Sequence, residues 1–424
     1  MFTTFTTWHG KPCYWADAPT KFVAIEATRR ARAHQGELLQ GLCSLLVVAG
    51  ARPAHDGAGP GFRMDGALGL ARARTGLLKV GPDILGTVVV FLSCATRLRL
   101  SWPAHDQARA ILDLQYSPDG RFILTCSQDR AVKVWSATTG ELVRTLQGHL
   151  DIVSRCCFAP DGRTILSSSF DSTLKFWDAE SGDLQVSIGG EWHEGSVNCC
   201  AFSPNGSTVL SGSQDRKLRL YGDVRQEGFL ARNCKLLLTV EAPDVALSCC
   251  FSPDGRHFLA GMLRGGLVLF RTTSGAQERC FVGHTGDVNA CNFSPDGRFI
   301  VSGSEQCAAQ FDGPFCKLWS AATGNLLRNL TGHSLSVNGC TFSPNGQTIL
   351  TVSKDGTLRF WEPMTGRIRW IVDHQPTSPF ESASPRTCRF SPDGKSFAVG
   401  FGGGCVKMWN KSNPDVGIFM TLEM

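Results

Sequence analysis

Residues 148–178 read GHLDIVSRCCFAPDGRTILSSSFDSTLKFWD. In the tetrapeptide at 159–162, proline sets φ early in a turn and glycine accepts a positive φ at its end. Short runs on either side, Ile152 to Phe158, Thr164 to Ser169 and Thr173 to Trp177, each predict a strand, and Leu184 to Ile188 predicts a fourth. Four antiparallel strands in such a short unit leave sheet faces that need a neighbour on both sides.

The tetrapeptide Ser-Pro-Asp-Gly, or a near copy, occurs seven times at intervals of 42 to 49 residues. The copies begin at Ser117, Ala159, Ser203, Ser252, Ser294, Ser343 and Ser391. An aromatic residue follows each start by 18 residues, or by 25 in the fifth unit, which carries an insertion. These residues are Trp135, Trp177, Tyr221, Phe270, Trp319, Trp361 and Trp409. The period predicts stacked β units, and the absence of long helical periodicity favours a closed all-β propeller with seven blades.

The second unit resembles the WD repeat in Gly148-His149, Ser167 to Ser169, Asp171 and Trp177-Asp178, and the resemblance covers roughly residues 96–422. It implies a seven-bladed WD-repeat β-propeller in which His, Ser or Thr, Asp and Trp side chains hydrogen-bond within each blade. Such buried groups need partners, because an unpaired polar group in the interior costs free energy. The residues matched to this structural network, with tyrosine replacing tryptophan in the third unit, are His105, Asp129, Trp135, His149, Asp171, Trp177, His193, Asp215, His284, Trp319, His333, Asp355 and Trp361.

Three units depart from this pattern. The fourth has Ala242, Arg264 and Phe270 at the His, Asp and Trp positions. The fifth carries an insertion that leaves the role of Asp312 open, and the seventh has Gly403 where Asp is expected. We therefore expect blades four, five and seven to be less rigid than the others.

The sequence predicts two regions, a largely flexible and poorly structured N-terminal extension over 1–95 and the propeller over 96–424. Two segments are candidates for the strand that closes the ring. Arg97 to Trp102 lies before the first unit in the same way that the predicted outer strand of the first unit lies before the second unit. Val416 to Leu422 follows the last unit at the spacing at which an outer strand follows the earlier units. We favour the N-terminal segment, because a blade that combines strands from both ends of the chain holds the ring closed.

The charge and composition of the chain limit the classes of partner that we expect. The formal net charge is +5, and the propeller shows no basic stripe of the kind that a phosphate backbone demands, so we expect no direct nucleic-acid partner. No apolar stretch reaches the length of a spanning helix, so we expect no membrane partner. We also expect no cofactor and no small-molecule substrate.

Eighteen cysteines raise the question of metal or disulfides. One strand position, four residues before the turn proline, holds Leu114 in the first unit and cysteine in the other six: Cys156, Cys200, Cys249, Cys291, Cys340 and Cys388. A position shared by leucine and cysteine is an apolar core position. No zinc-type spacing occurs, so we expect no metal, and buried thiols favour a reducing compartment: the cytoplasm, with the nucleus or cilium as alternatives.

The resemblance also implies where partners bind. In WD-repeat proteins that grip peptides, contacts come mainly from residues just after the Gly-His pair and from the residue before the turn Asp. The matching residues here are Gln128, Ser154, Phe170, Asn198, Gln214, Asn289, Asn338 and Lys354. Amides offer both donors and acceptors, and an exposed aromatic ring buries a large area on contact.

These features favour a non-catalytic scaffold or adaptor that docks protein or peptide partners on the rim and central channel. A substrate receptor of a ubiquitin ligase is an alternative, although the Trp-Asp-x-Arg pattern of adaptor-docking repeats is missing. A propeller enzyme is the weaker alternative, since the histidines outside the network are scattered and no carboxylate pair or nucleophile motif is present.

Overall fold

The computed structural model describes residues 3–8, 11–15, 46–48, 89–91, 96–105, 109–189, 192–222, 234–305, 315–373 and 384–411, with side chains from residue 99 to 410. The chain divides into two compact units, residues 1–94 and 95–424. In the first unit, β1 (Thr3–Trp8) pairs with β2 (Lys11–Trp15), and β3 (Leu46–Val48) pairs with β4 (Val89–Phe91), both antiparallel. The remainder of the extension, for which the sequence predicts flexibility, lies outside the described residues.

The second unit consists of seven four-stranded antiparallel sheets, so the predicted seven-bladed all-β propeller is confirmed. The first three blades are β6 (Ile111–Tyr116), β7 (Phe122–Ser127), β8 (Val132–Ser136), β9 (Leu142–Leu146); β10 (Val153–Phe158), β11 (Thr164–Ser169), β12 (Leu174–Asp178), β13 (Leu184–Ile188); and β14 (Val197–Phe202), β15 (Val209–Ser213), β16 (Lys217–Gly222), β17 (Lys235–Glu241). The next three are β18 (Ala246–Phe251), β19 (His257–Met262), β20 (Leu267–Arg271), β21 (Gln277–Cys280); β22 (Val288–Phe293), β23 (Phe299–Ser304), β24 (Cys316–Ser320), β25 (Leu326–Asn329); and β26 (Val337–Phe342), β27 (Ile349–Ser353), β28 (Thr357–Trp361), β29 (Ile368–Asp373). The seventh is β30 (Pro385–Phe390), β31 (Ser396–Phe401), β32 (Cys405–Lys411) and β5 (Thr96–Pro103).

The seventh blade shows how the ring closes. Its outer strand is the N-terminal β5, which pairs antiparallel with the C-terminal β32 and sets Leu100 opposite Met408. The prediction that the N-terminal segment supplies the closing strand is therefore confirmed, and the alternative segment, Val416 to Leu422, lies outside the described residues.

The core is divided among the interfaces between blades. The described apolar side chains form seven buried clusters, and each cluster joins residues of two neighbouring blades. The cluster between the seventh and first blades contains Met408 and Val406 with Ile111 and Leu114. Because each blade buries both faces against its neighbours, loss of one blade would expose two clusters, and the repeats stabilise one another.

The Ser-Pro-Asp-Gly turns have a common geometry that explains their sequence. In the first blade the Ser117 hydroxyl donates to Asp119 at 2.6 Å and accepts from the Phe122 N–H at 2.9 Å. Gly120 has φ +72°, a conformation that favours glycine. These turns connect the innermost strand of each blade to the second strand, so all seven lie at one end of the ring, which we call the turn face.

Candidate functional site

The second blade contains the expected hydrogen-bond network. The Trp177 indole N–H donates to the Ser167 hydroxyl at 2.8 Å, and Ser167 lies 2.7 Å from Nε2 of His149. Nδ1 of His149 lies 2.9 Å from the Asp171 carboxylate. A neutral imidazole with its proton on Nδ1 satisfies the whole chain, because it donates to Asp171 and accepts the Ser167 proton. The network therefore fixes the loop before β10 against the turn that joins β11 and β12.

The first and sixth blades repeat this arrangement with threonine as the central hydroxyl. In the first blade, His105 lies 2.7 Å from Asp129 and 2.8 Å from Thr125, which accepts from Trp135 at 2.9 Å. The corresponding distances in the sixth blade, among His333, Asp355, Thr351 and Trp361, are 2.9, 2.7 and 2.8 Å.

The third blade holds a modified network. His193 bonds Asp215 at 2.9 Å and Ser211 at 2.7 Å, but the Ser211 hydroxyl lies 3.5 Å from the Tyr221 hydroxyl, longer than the tryptophan bonds. Arg219 adds a bond to Asp215 at 2.8 Å. The repeat pattern gave no signal for this arginine, because its position is not part of the motif.

The fourth, fifth and seventh blades differ as the sequence indicates. In the fifth blade, Nε2 of His284 lies 2.6 Å from the Ser302 hydroxyl, but the buried Nδ1 of His284 has no hydrogen-bond partner among the described residues. Asp312 lies outside the described residues. In the fourth blade Phe270 stacks on Phe258 with ring centroids 5.1 Å apart.

Stacking also replaces the hydroxyl bond in the seventh blade, where Trp409 lies on Phe397 at 5.2 Å. The lower rigidity expected for these three blades stays a prediction.

Burial and hydrogen bonding control the charge state of the network. Burial lowers the pKa values of His149, His193 and His333 against the opposing effect of their aspartates, so these imidazoles are neutral near pH 7. Burial alone would raise the pKa of Asp171, but hydrogen bonds from His149, Thr173 and the Leu150 N–H together lower it. The same balance lowers the pKa of Asp215 to about 2, with Arg219 as the main donor. The aspartates are thus carboxylates, and the pairs are structural.

The residues just after the Gly-His pairs do not form a free docking ring. Each occupies a β-bulge in the innermost strand, where the register shifts by one residue. The bulge aims three of the four side chains at the first residue of the next blade: Ser154 donates to the Val197 carbonyl at 2.6 Å, Asn198 to Ala246 at 2.9 Å, and Asn338 to Pro385 at 2.9 Å.

These bonds link neighbouring blades, and the Ser154 side chain that makes one of them is buried, so its predicted docking role stays a prediction. Asn198 and Asn338 use their amide donors in the same way. Asn289 differs in that its backbone carbonyl accepts from Arg155 at 2.9 Å. Of these three asparagines, Asn338 lines the central cavity, and the docking role of all three stays a prediction.

The residues before the turn aspartates lie nearer the surface. Phe170 is 38% exposed and Gln214 is exposed. The Gln128 side chain is half-buried and accepts from the Ala110 N–H at 3.2 Å, and Lys354 forms an ion pair with Glu305 of the preceding blade. Phe170 and Gln214 are therefore the two predicted docking residues with exposed side chains.

The motif did not predict Leu150, a strongly exposed apolar residue in the loop that carries His149. Leu150 is 79% exposed, and its N–H donates to Asp171 at 2.9 Å, so Leu150 and Phe170 flank one carboxylate. Both lie in loops at the end of the ring opposite the turn face. We call this end, formed by the loops that carry the network histidines and aspartates, the network face. The only sequence signal for Leu150 is its position directly after the histidine.

Comparison with known proteins agrees with this geometry. The pattern of the WD40 family, described as WD domain, G-beta repeat, matches residues 96–136, 140–178, 187–222, 275–312, 324–362 and 376–410, more than half of the chain. The chain belongs to the WD-repeat family. No match covers the fourth blade's inner three strands, where the His, Asp and Trp positions are all substituted.

One curated relative in this family gives a short alignment. The chain is 37% identical over 43 residues to WD repeat domain-containing protein 83 of Danio rerio. The match covers 10% of this chain and 14% of that protein's length, so it adds nothing on function beyond the family.

The chemistry of the described residues bears on other functions. Among them, no group of three or more His, Cys, Asp or Glu side chains could hold a metal ion, and no helix is long and apolar enough to cross a membrane. Burial raises the pKa values of Cys156 and Cys340, so these thiols are protonated and poorly nucleophilic.

The innermost strands bring cysteines of neighbouring blades near one another. Thiols of neighbouring blades that lie one position apart, such as Cys157 with Cys200 and Cys250 with Cys291, interact, and this interaction together with burial raises the pKa values of Cys157 and Cys250. They are nevertheless free thiols.

Proposed function

We propose that this protein is a non-catalytic scaffold that docks protein or peptide partners on the network face. WD-repeat propellers generally mediate protein–protein interactions, which supports the class of function. The single observation that carries the proposal for this face is the apolar pair Leu150 and Phe170, exposed on loops that a buried network holds in place.

Rigid support matters for binding. A docking residue on a mobile loop must be ordered when the partner binds, and that ordering costs free energy. The carboxylate of Asp171, the residue after Phe170, accepts hydrogen bonds from the Leu150 N–H, His149 and Thr173. The backbone on both sides of this carboxylate is thus held in place before a partner arrives, and aromatic side chains such as Phe170 are enriched in interface cores.

We further propose that the protein works in a reducing compartment, the cytoplasm being the first choice. The buried free thiols Cys156, Cys340 and Cys388 support this proposal, since an oxidising compartment exposes folding intermediates with many thiols to mispairing.

The docking proposal is tested by comparing bound partners quantitatively. Wild type, a Leu150→Ala plus Phe170→Ala variant, and a Leu184→Ala plus Met364→Ala variant are expressed with an affinity tag and captured from the same cells. Leu184 and Met364 are 45% and 65% exposed and lie away from the network face, so they form a matched control. We expect partners retained by wild type and control to be depleted at least about tenfold from the first variant. Equal recovery by all three proteins would contradict docking on this face.

A further inference from the structure

A cavity of about 330 Å³ occupies the centre of the ring, lined by residues of the innermost strands of all seven blades. Pro160, Ser203 and Pro204 of the turns are among its lining residues, so the cavity extends to the turn face. Leu150 and Phe170 are not among its lining residues, whereas Asn338 is. Most of its lining side chains are thiols, hydroxyls, amides or apolar groups, and the charged ones are Asp113, Arg155 and Arg389.

These three charges do not balance. Arg155 approaches Oδ1 of Asp113 at 3.4 Å, and Arg389 approaches the same oxygen at 3.7 Å. Thr387 donates to it as well, at 3.2 Å. One carboxylate oxygen therefore faces two guanidinium groups and a hydroxyl, and the described lining carries one positive charge in excess.

The arginines also keep donors free. Arg155 crosses the channel from the second blade to the fifth, where it donates to the Asn289 carbonyl at 2.9 Å. Arg389 donates to the carbonyl of its neighbour Cys388 at 3.0 Å, and its contact with Asp113 is too long for a hydrogen bond. A guanidinium has five N–H donors, so both groups have donors without a partner among the described residues.

Both arginines line the cavity and are largely shielded from water. The side chains of Arg155 and Arg389 are 20% and 25% exposed, and that of Asp113 is 7% exposed. Electrostatic attraction in such a confined, partly dehydrated space is stronger than on an open surface. Guanidinium groups match phosphate and carboxylate oxygens in geometry, since they can donate two parallel bonds.

We propose that the central cavity binds a small oxyanionic group, a phosphate or a carboxylate, between Arg389 and Arg155. The anion takes the donors that Asp113 leaves free and neutralises the excess charge. The site does not depend on docking at the network face. Its two sources, a free phosphate compound or an acidic side chain, share this chemistry and are separated by the test.

The test measures the thermal midpoint of the purified full-length chain at constant ionic strength, with inorganic phosphate in one arm, N-acetyl-glutamate amide in a second and chloride alone in a third. A ligand that binds only the folded state raises the midpoint along a saturable curve. We expect saturation in at least one oxyanion arm and not in chloride. The arm with the tighter apparent Kd identifies the source of the group.

Variants then locate the site. Arg389→Gln should weaken the apparent Kd at least about tenfold, because a charge-assisted pair is lost. Asp113→Asn should tighten it, because the competing carboxylate is gone. Arg256→Gln is the control, since Arg256 lies on a turn with its side chain 81% exposed and should bind as wild type. Wild type without saturable binding in either oxyanion arm overturns the proposal whatever the variants do, and so does a folded Arg389→Gln protein with an unchanged Kd. Should Arg389→Gln not fold, Arg389→Lys keeps the charge without the paired donors and must still weaken the Kd.

Discussion

Replacing Asp171 by alanine tests the network in the second blade. The carboxylate accepts four hydrogen bonds: from His149 at 2.9 Å, from the Leu150 N–H at 2.9 Å, and from the N–H and hydroxyl of Thr173 at 3.0 and 2.6 Å. Its side chain is only 6% exposed, so water replaces these bonds incompletely. At roughly 1 kcal/mol for each lost bond, with a larger share for bonds to a charged group, we expect a loss of about 3 to 5 kcal/mol of local stability.

Amide hydrogen exchange with mass spectrometry measures this loss directly. Opening of the second blade should accelerate exchange in residues 164–178 by roughly two to four orders of magnitude, since each 1.4 kcal/mol is a factor of ten. Asp183→Ala is the matched control, because Asp183 is an exposed aspartate in the same blade. Equal exchange in Asp171→Ala and Asp183→Ala would refute the assignment of stability to the network.

Three further predictions concern single residues. Burial lowers the pKa of His284 to about 3, so below about pH 6.5 the unfolded chain takes up a proton that the folded chain does not. The free energy of unfolding therefore falls as the pH falls from about 6.5 toward 3, by up to about 1.4 kcal/mol per pH unit. His284→Gln should flatten the dependence of the unfolding free energy on pH in this window. A Cβ on Gly265 would lie 2.1 Å from the His284 carbonyl oxygen, whereas a Cβ on Gly255 would have its nearest neighbour at 3.6 Å, and both glycines have a positive φ. Gly265→Ala should therefore lower the thermal midpoint well below that of Gly255→Ala. Equal midpoints would contradict the steric argument. Ser154→Ala should cost about 1 to 2 kcal/mol in urea unfolding, because the Val197 carbonyl loses a buried donor; an unchanged midpoint would argue against the link between blades.

The sequence predicts the propeller well because its signals are local. The turn at Ser117 to Gly120 needs only its own residues, and the aromatic residue 18 positions later falls on the third strand of the same blade. The bonds from Trp177 through Ser167 to His149 follow from the same repeat.

What the sequence cannot predict is where a side chain points once blades are packed. Ser154 sits in a bulge, and the bulge turns its hydroxyl into the next blade. Arg155 bonds Asn289 across the channel, 134 residues away, which no repeat pattern encodes. The exposure of Leu150 likewise depends on the loop geometry that Asp171 imposes.

The most direct test of the central claim concerns ring closure, on which both faces and the central cavity depend. Two truncated chains are compared by thermal unfolding, one beginning at residue 95 and one at residue 104, so that they differ by β5 alone. The first should unfold in a single cooperative transition, and the second should lose it, because removing β5 strips the outer strand from β32 and exposes the cluster around Met408. A chain from residue 104 that unfolds as cooperatively, and at the same temperature, as the longer chain would contradict a ring closed by its N-terminal strand.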